Sequence, residues 1–127
     1  MTFNDLGLNK LLLKAIAEQG YEKPTPIQEQ AIPVILQRKD VLAGAQTGTG
    51  KTAGFTLPML ELLLRSKQQD SKHHVKALVL TPTRELASQV QDNIYNYAKH
   101  TPYKSTVIFG GVKINPQIVA LRKGIDI

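Results

Sequence analysis

The densest chemistry in the chain lies in Ala45-Gln46-Thr47-Gly48-Thr49-Gly50-Lys51-Thr52. The apolar run Val41-Leu42-Ala43 precedes it and Phe55-Thr56-Leu57-Pro58-Met59-Leu60 follows it. That order predicts strand, glycine-rich turn, helix. Gly48 and Gly50 can take backbone angles closed to other residues, so successive N–H groups can turn inward on an anion. A helix starting near Gly50 adds unpaired N–H groups and the positive end of its dipole. Lys51 puts a cation where the outer phosphates of a nucleotide would sit, and Thr52 offers a hydroxyl to Mg²⁺. The stretch fits G-x-x-x-x-G-K-[ST] everywhere except the first position, where Ala45 is still small enough for a tight turn. A Gly/Thr-rich surface loop beside a solvated lysine is the plain alternative, and the flanking strand and helix weigh against it.

Other residues offer chemistry with less force. The amide of Gln28 can donate and accept in a pair, which matches the N6/N7 edge of adenine and rejects guanine. It can equally close a capping box with Thr25, three residues earlier. Thr83-Arg84 opens a helix after a strand, an arrangement suited to phosphate. A capped helix with Arg84 paired to a carboxylate fits the same residues. Gly110-Gly111 permits close approach of the backbone to a ligand, or simply makes a turn. His73 and His74 lie in the polar stretch Ser66–His74, expected to be a loop. They read as solvated, since no third metal ligand accompanies them.

The elements that must position these residues alternate along the chain. Asn9 caps a helix over about Lys10–Gln19, stopped by Gly20. Thr25, Pro26 and Gln28 start a second helix that runs to about Gln37. A third, Lys51 to about Arg65, is apolar on nearly every side, so it should pack on more than one face, and Pro58 should perturb it. Val75–Thr81 reads as a strand with the buried-type run Ala77-Leu78-Val79-Leu80. Thr83 caps a helix over about Arg84–Lys99. Ser105–Phe109 is a strand, Asn115-Pro116 starts a short helix closed by Gly124, and Gly124–Ile127 looks like a strand beginning. Such alternation implies an α/β fold, a mainly parallel sheet covered by helices. The phosphate loop, Thr81–Arg84 and Gly110-Gly111 would then share the carboxyl edge of that sheet, where ligands bind.

Composition bounds the rest. The chain has 127 residues, 42% of them hydrophobic, enough for one domain or a large piece of one. No apolar run reaches the about 18 residues that a spanning helix needs. The start, Met-Thr-Phe-Asn-Asp, lacks a signal segment, and the absence of cysteine excludes disulfides and thiolate metal sites, so a reducing, cytoplasmic home is expected. A formal charge of +6 favours an anionic partner. No internal repeat or low-complexity tract is present.

Taken together, these residues resemble the DEAD-box family of ATP-dependent RNA helicases, and within it the bacterial RhlE-like members. Gly20-Tyr21-Glu22-Lys23-Pro24-Thr25-Pro26-Ile27-Gln28 is similar to the family's Q motif, with Phe3 at the spacing of its isolated upstream aromatic. Ala45–Thr52 is similar to motif I, where alanine at the first position is normal. Pro82-Thr83-Arg84-Glu85-Leu86-Ala87 is similar to motif Ia, and Gly110-Gly111 to the paired-glycine element. The resemblance implies a three-layer RecA-like P-loop domain, incomplete in this chain, with residues 1–39 as its Q-motif helical region and 40–127 as a partial P-loop core. It implies ATP and Mg²⁺ as ligands. Phe3 would stack on adenine, Gln28 would read its edge, and Tyr21 and Lys23 would also belong to the nucleotide-binding residues. Thr25 would brace the phosphate loop. Ala45, Gln46 and Thr47 would complete that loop, Gly48, Thr49, Gly50 and Lys51 would cradle the phosphates, and Thr52 would hold Mg²⁺. Lys51 and Thr52 would be its catalytic residues here. Pro82, Thr83, Arg84, Gly110 and Gly111 would touch the sugar-phosphate backbone of single-stranded RNA, contacts blind to base sequence.

The family continues with a T-P-G-R segment, an Asp-Glu-Ala-Asp motif, a Ser-Ala-Thr motif and a second RecA-like domain, and none of these is in the sequence. Asp126 is no substitute, because no Asp-Glu pair follows it. The chain is therefore expected to bind adenine nucleotide weakly, not to hydrolyse ATP alone, and to expose a sheet edge that invites dimerisation. A non-catalytic nucleotide- or RNA-binding module is the competing reading. A small-molecule kinase is disfavoured by the Q motif and by the lack of lid arginines after the phosphate loop.

Overall fold

The computed structural model describes residues 1–48, 50–66 and 74–127. The chain divides into two compact units, Met1–Lys67 and Gln68–Ile127. Thr49 and Lys67–His73 lie outside the described residues, so the expectations for Thr49, His73 and most of the Ser66–His74 loop do too.

In the first unit a 3-10 turn, Phe3–Leu6, opens the chain. The Thr2 backbone N–H and hydroxyl both donate to Asp5 Oδ2, at 2.7 and 3.1 Å. These bonds, the backbone one foremost, hold the Asp5 carboxyl below its ordinary value of 3.8. α1 spans Lys10–Glu18, and Asn9 Oδ1 accepts from the Leu11 N–H at 2.9 Å, the cap its sequence predicts. α2 spans Pro26–Leu36 with proline in its first turn. α3 spans Lys51–Arg65 and runs unbroken through Pro58. Leu12, Ile16, Ile32, Leu57 and Leu60 are fully buried and form the centre of this unit. Buried residues wrap around α3, as its all-round apolar sequence requires.

Glu61, 4% exposed, ties the lead-in to α3. Its Oε2 accepts from the Asn9 N–H at 2.6 Å and its Oε1 from Arg65 Nε at 2.8 Å. Arg65 Nη2 also donates to the Gly7 carbonyl at 2.9 Å. A buried carboxylate is tolerable only with such partners. Gly7 meets this network at φ 76°, in the left-handed region.

In the second unit, α4 spans Arg84–Ala98 and buries Val90, Ile94, Tyr97 and Ala98. Thr83 Oγ1 accepts from the Leu86 N–H at 3.1 Å, closing its cap. α5 spans Ile114–Arg122, starting one residue before the expected Asn115-Pro116 pair, and Gly124 follows it at φ 98°. Asp126 joins three extended segments. Its Oδ1 accepts from Lys76 Nζ at 2.6 Å and its Oδ2 from the Lys104 N–H at 2.9 Å. Its backbone carbonyl accepts from the N–H groups of Lys76 and Ala77. Its N–H donates to the Lys104 carbonyl, and the Thr106 N–H donates to Ile127. Residue numbers rise together across that last pairing, which is the parallel sense. Burial pushes the nearby Tyr103 hydroxyl up, with Lys76 opposing and Asp126 reinforcing the shift.

The expected sheet is not formed among the described residues, which contain helices and no strand. Val41-Leu42-Ala43 is exposed, with Leu42 fully so, and the supposedly buried run Ala77–Leu80 alternates, leaving Leu78 and Leu80 exposed. The reason is that a central strand needs hydrogen-bonding neighbours on both sides and cover on both faces. Only the junction at Asp126 supplies such bonds here. The edge expected to carry dimerisation therefore has no sheet to belong to among the described residues. No helix among them is long and apolar enough to cross a membrane.

Candidate functional site

Two loops carry the candidate residues, one in each unit. The first is the phosphate loop. Gly48 has φ 81° and Gly50 has φ 84°, so both glycines take the left-handed conformation for which the sequence supplied them. Gly50 is the cap of α3, and Lys51 and Thr52 open that helix, Lys51 exposed and Thr52 half-buried. The loop thus ends on free helical N–H groups and the positive pole of the dipole, with a primary ammonium and a hydroxyl in the first turn. That donor set suits a polyphosphate. Thr52 Oγ1 is a hard oxygen donor of the kind Mg²⁺ accepts beside substrate phosphates. Among the described residues no cluster of His, Asp or Glu could hold a metal unaided.

Gln28 fixes the loop from behind. It is 6% exposed. Its Oε1 accepts from the Thr25 N–H at 3.0 Å, and its Nε2 donates to the Gly50 carbonyl at 3.1 Å. Of the two alternatives left open by the sequence, the structure shows the capping arrangement of α2, and the same amide also holds the Gly50 carbonyl of the loop. A Cβ on Gly50 would collide with Gln28 Nε2 and stand 3.4 Å from Thr25 Oγ1. Gly50 is therefore fixed by its angle and by its neighbours. Thr25 Oγ1 is buried with no partner at bonding geometry, an acceptor and donor left waiting beside the loop.

The remaining residues of this site separate by exposure. Tyr21 is 54% exposed and Lys23, Gln46 and Thr47 are exposed too, while Ala45 is half-buried. Phe3 is 6% exposed and belongs to the core. Stacking of a base on Phe3 would require its ring to leave that packing. The isolated aromatic was legible in the sequence, but its burial was not.

The second loop runs from Phe109 to Lys113. Gly110 and Gly111 are exposed, and Gly111 has φ 74°. A Cβ on Gly111 would lie 3.8 Å from Arg84 Nη1, so the structure brings Arg84 and the paired glycines together. Pro82, Thr83 and Arg84 are all exposed at the start of α4. A cleft of ≈ 270 Å³ lined by Arg84, Glu85, Ser88, Phe109 and Val112 adjoins them. A guanidinium beside a glycine turn and a helix N-terminus is a good anion site. Sequence reasoning missed Gln117, which accepts from the Phe109 N–H at 2.7 Å and donates to the carbonyls of Phe109 and Lys113, both at 3.3 Å. The available signal was a glutamine close to a proline near the start of a helix, Gln117 at the fourth position of α5 where Gln28 is at the third of α2.

Known proteins resemble the chain along nearly all its length. It is 48% identical over 96% of its residues to the DEAD-box ATP-dependent RNA helicase RhpA of Helicobacter pylori, of which it covers 24%. It is 47% identical over 96% of its residues to the DEAD-box ATP-dependent RNA helicase CshA of Bacillus anthracis, of which it covers 22%. The chain thus spans about a quarter of the length of the curated relatives it matches. Among solved structures it is similar to a DEAD box protein from the hyperthermophile Methanococcus jannaschii, with TM-score 0.87 and 42% identity over 99% of this chain and 33% of that one. It is also similar to the RNA helicase Prp28 of Chaetomium thermophilum bound to ADP, with TM-score 0.84 and 38% identity over 96% of this chain and 30% of that one. The family described as DEAD/DEAH box helicase matches residues 25–127, from the Thr25 cap through both loops. On that match the chain belongs to the DEAD/DEAH box helicase family.

Proposed function

We propose that this chain is the front of the first RecA-like domain of a bacterial, RhlE-like, ATP-dependent RNA helicase, which couples ATP binding and hydrolysis to RNA strand separation. Residues 1–39 form its Q-motif region and 40–127 part of its P-loop core. The extended segments around residues 76, 104 and 126 are strands of a parallel sheet in the complete domain, a reading supported by the parallel sense of the Asp126 junction.

The observation that carries the proposal is the Gln28–Gly50 hydrogen bond. It links the segment that would read the base to the segment that would hold the phosphates. A primary amide has two N–H donors and an oxygen with two lone pairs. Gln28 uses one of each on Gly50 and Thr25, which leaves one of each for the adenine edge. Of the two aromatic candidates Tyr21 is the exposed one, so base stacking falls to Tyr21 and core packing to Phe3. Loop N–H groups from Gly48 to Lys51 bind the phosphates and Lys51 neutralises their charge. Thr52 would contribute one oxygen to Mg²⁺, which would polarise the phosphates when bound. Thr25, whose Oγ1 lies 3.4 Å from the Cβ position at Gly50, braces the phosphate loop. Arg84, Thr83, Pro82, Gly110 and Gly111 hold the RNA backbone. The Prp28 relative bound to ADP supports the choice of adenine nucleotide.

Calorimetric titration with ADP and with GDP, each with Mg²⁺, tests this reading on wild type and Gln28→Ala. ADP should bind, GDP should not, and Gln28→Ala should lose the difference. Equal binding of both nucleotides by wild type would end the adenine assignment.

A further inference from the structure

We propose that Gln117 is a positioning residue for nucleic-acid backbone: its amide holds the Phe109–Lys113 loop in the shape that leaves Gly110 and Gly111 free to bind phosphate beside Arg84. The proposal rests on the assignment of Arg84 and the paired glycines to the RNA backbone.

Phe109 begins the loop, and one side-chain amide holds both its N–H and its C=O. Gln117 Oε1 takes the N–H at 2.7 Å and Nε2 gives to the C=O at 3.3 Å. The same Nε2 reaches the Lys113 carbonyl at 3.3 Å, so one amide grips both ends of the loop. Between those ends, among the described residues, the N–H groups of Gly110 and Gly111 have no hydrogen-bond partner. Both residues are exposed. Gly111, at φ 74°, turns the backbone so that successive N–H groups can converge on one anion. Arg84 Nη1 stands 3.8 Å from the position of a Gly111 Cβ, so the guanidinium lies beside the turn that carries these N–H groups.

Without the amide the loop holds two adjacent glycines and nothing in its own sequence to fix them. Glycine has the most backbone freedom to lose, so an unclamped loop must be ordered by the ligand at the ligand's expense. Gln117 makes that ordering part of folding. It contributes no charge, so it should alter affinity without altering how affinity depends on salt.

The test is fluorescence anisotropy of a labelled single-stranded oligouridylate, titrated at several salt concentrations against wild type, Gln117→Met, Arg84→Ala, Gly111→Ala and Gly111→Ala/Gln117→Met. Methionine keeps the length and removes all three hydrogen bonds. Gln117→Met should bind about tenfold more weakly, with the wild-type salt slope and wild-type helical melting. Arg84→Ala should weaken binding and reduce the slope by about one phosphate contact. In the Gly111→Ala background, where the loop is already displaced, Gln117→Met should add little. Wild-type affinity in Gln117→Met beside a loss in Arg84→Ala overturns the positioning role. No loss in either variant overturns the backbone-site assignment beneath it. If Gln117→Met does not fold, the wild type decides by nitrogen-15 NMR. The Gln117 side-chain amide and the Phe109 N–H should shift with added oligouridylate along the binding isotherm, and unmoved signals overturn the proposal.

Discussion

The phosphate loop and the Phe109–Lys113 loop are built on one plan with different foundations. Each contains a left-handed glycine, and each is gripped by the amide of a glutamine near the start of a helix. Gln28 is buried and bonds a carbonyl 22 residues away, so it joins two helices. Gln117 is half-buried and bonds a residue eight positions back, so it closes a local ring. Gly50 has Gln28 and Thr25 against the place where a Cβ would go, whereas Gly111 has only the end of a flexible arginine. The first loop is therefore an integral part of its unit's packing. The second is shaped locally and stands in solvent. The same local device costs differently to break because the surroundings set the penalty.

Paired substitutions put that contrast to the test. Gly50→Ala combines left-handed strain, about 1–2 kcal/mol, with forced overpacking of about 1–3 kcal/mol. It should show the largest loss in urea unfolding, and a wild-type midpoint would remove Gln28 from the loop's support. Next comes Gln28→Ala, about 2 kcal/mol, because it releases the part-buried Thr25 N–H and Gly50 carbonyl and leaves a space where a buried side chain stood. Gly111→Ala carries only the backbone strain, about 1 kcal/mol, since the Arg84 side chain can move aside. If Gly111→Ala were as costly as Gly50→Ala, the contrast between packed and solvated loops would fail. Gln117→Met should change stability by less than about 1 kcal/mol, since water reaches the released groups.

The smallest effect belongs to Asp5→Asn, outside both loops. The Asp5 carboxyl titrates below its ordinary value, so the folded state favours its charged form. Wild type should hold a slight stability advantage over the variant above about pH 4. The advantage should fade as pH falls through the lowered folded-state value. A gap that widens with acid would contradict the Thr2 hydrogen bonds as its source.

The helices were legible because their signals are local. Asn9, Thr25-Pro26, Gly50 and Thr83 start α1 to α4 where the sequence places them. The turn before α3 was legible for the same reason, since Gly48 and Gly50 take the left-handed angles that their type permits and the helix starts at Lys51. The strands were not, because Val41-Leu42-Ala43 and Ala77–Leu80 acquire strand character only from neighbours that the segment itself does not name. The burial of Phe3 was not legible because spacing can identify an aromatic but cannot say whether its faces are covered. Glu61 and Gln117 escaped notice because each gains its meaning from a backbone group that the fold brings to it.

The Asp126 junction also bears on time. Its carboxylate must meet a lysine 50 residues upstream and a backbone N–H 22 residues upstream. α4 and α5 can form on the helix–coil timescale of about a microsecond. The junction must wait for two long-range closures, and such closures slow folding more than any local propensity speeds it. The second unit should therefore pass through a period when its helices exist but its extended segments are still searching for one aspartate. In that interval the unpaired extended segments leave the unit most open to wrong pairing.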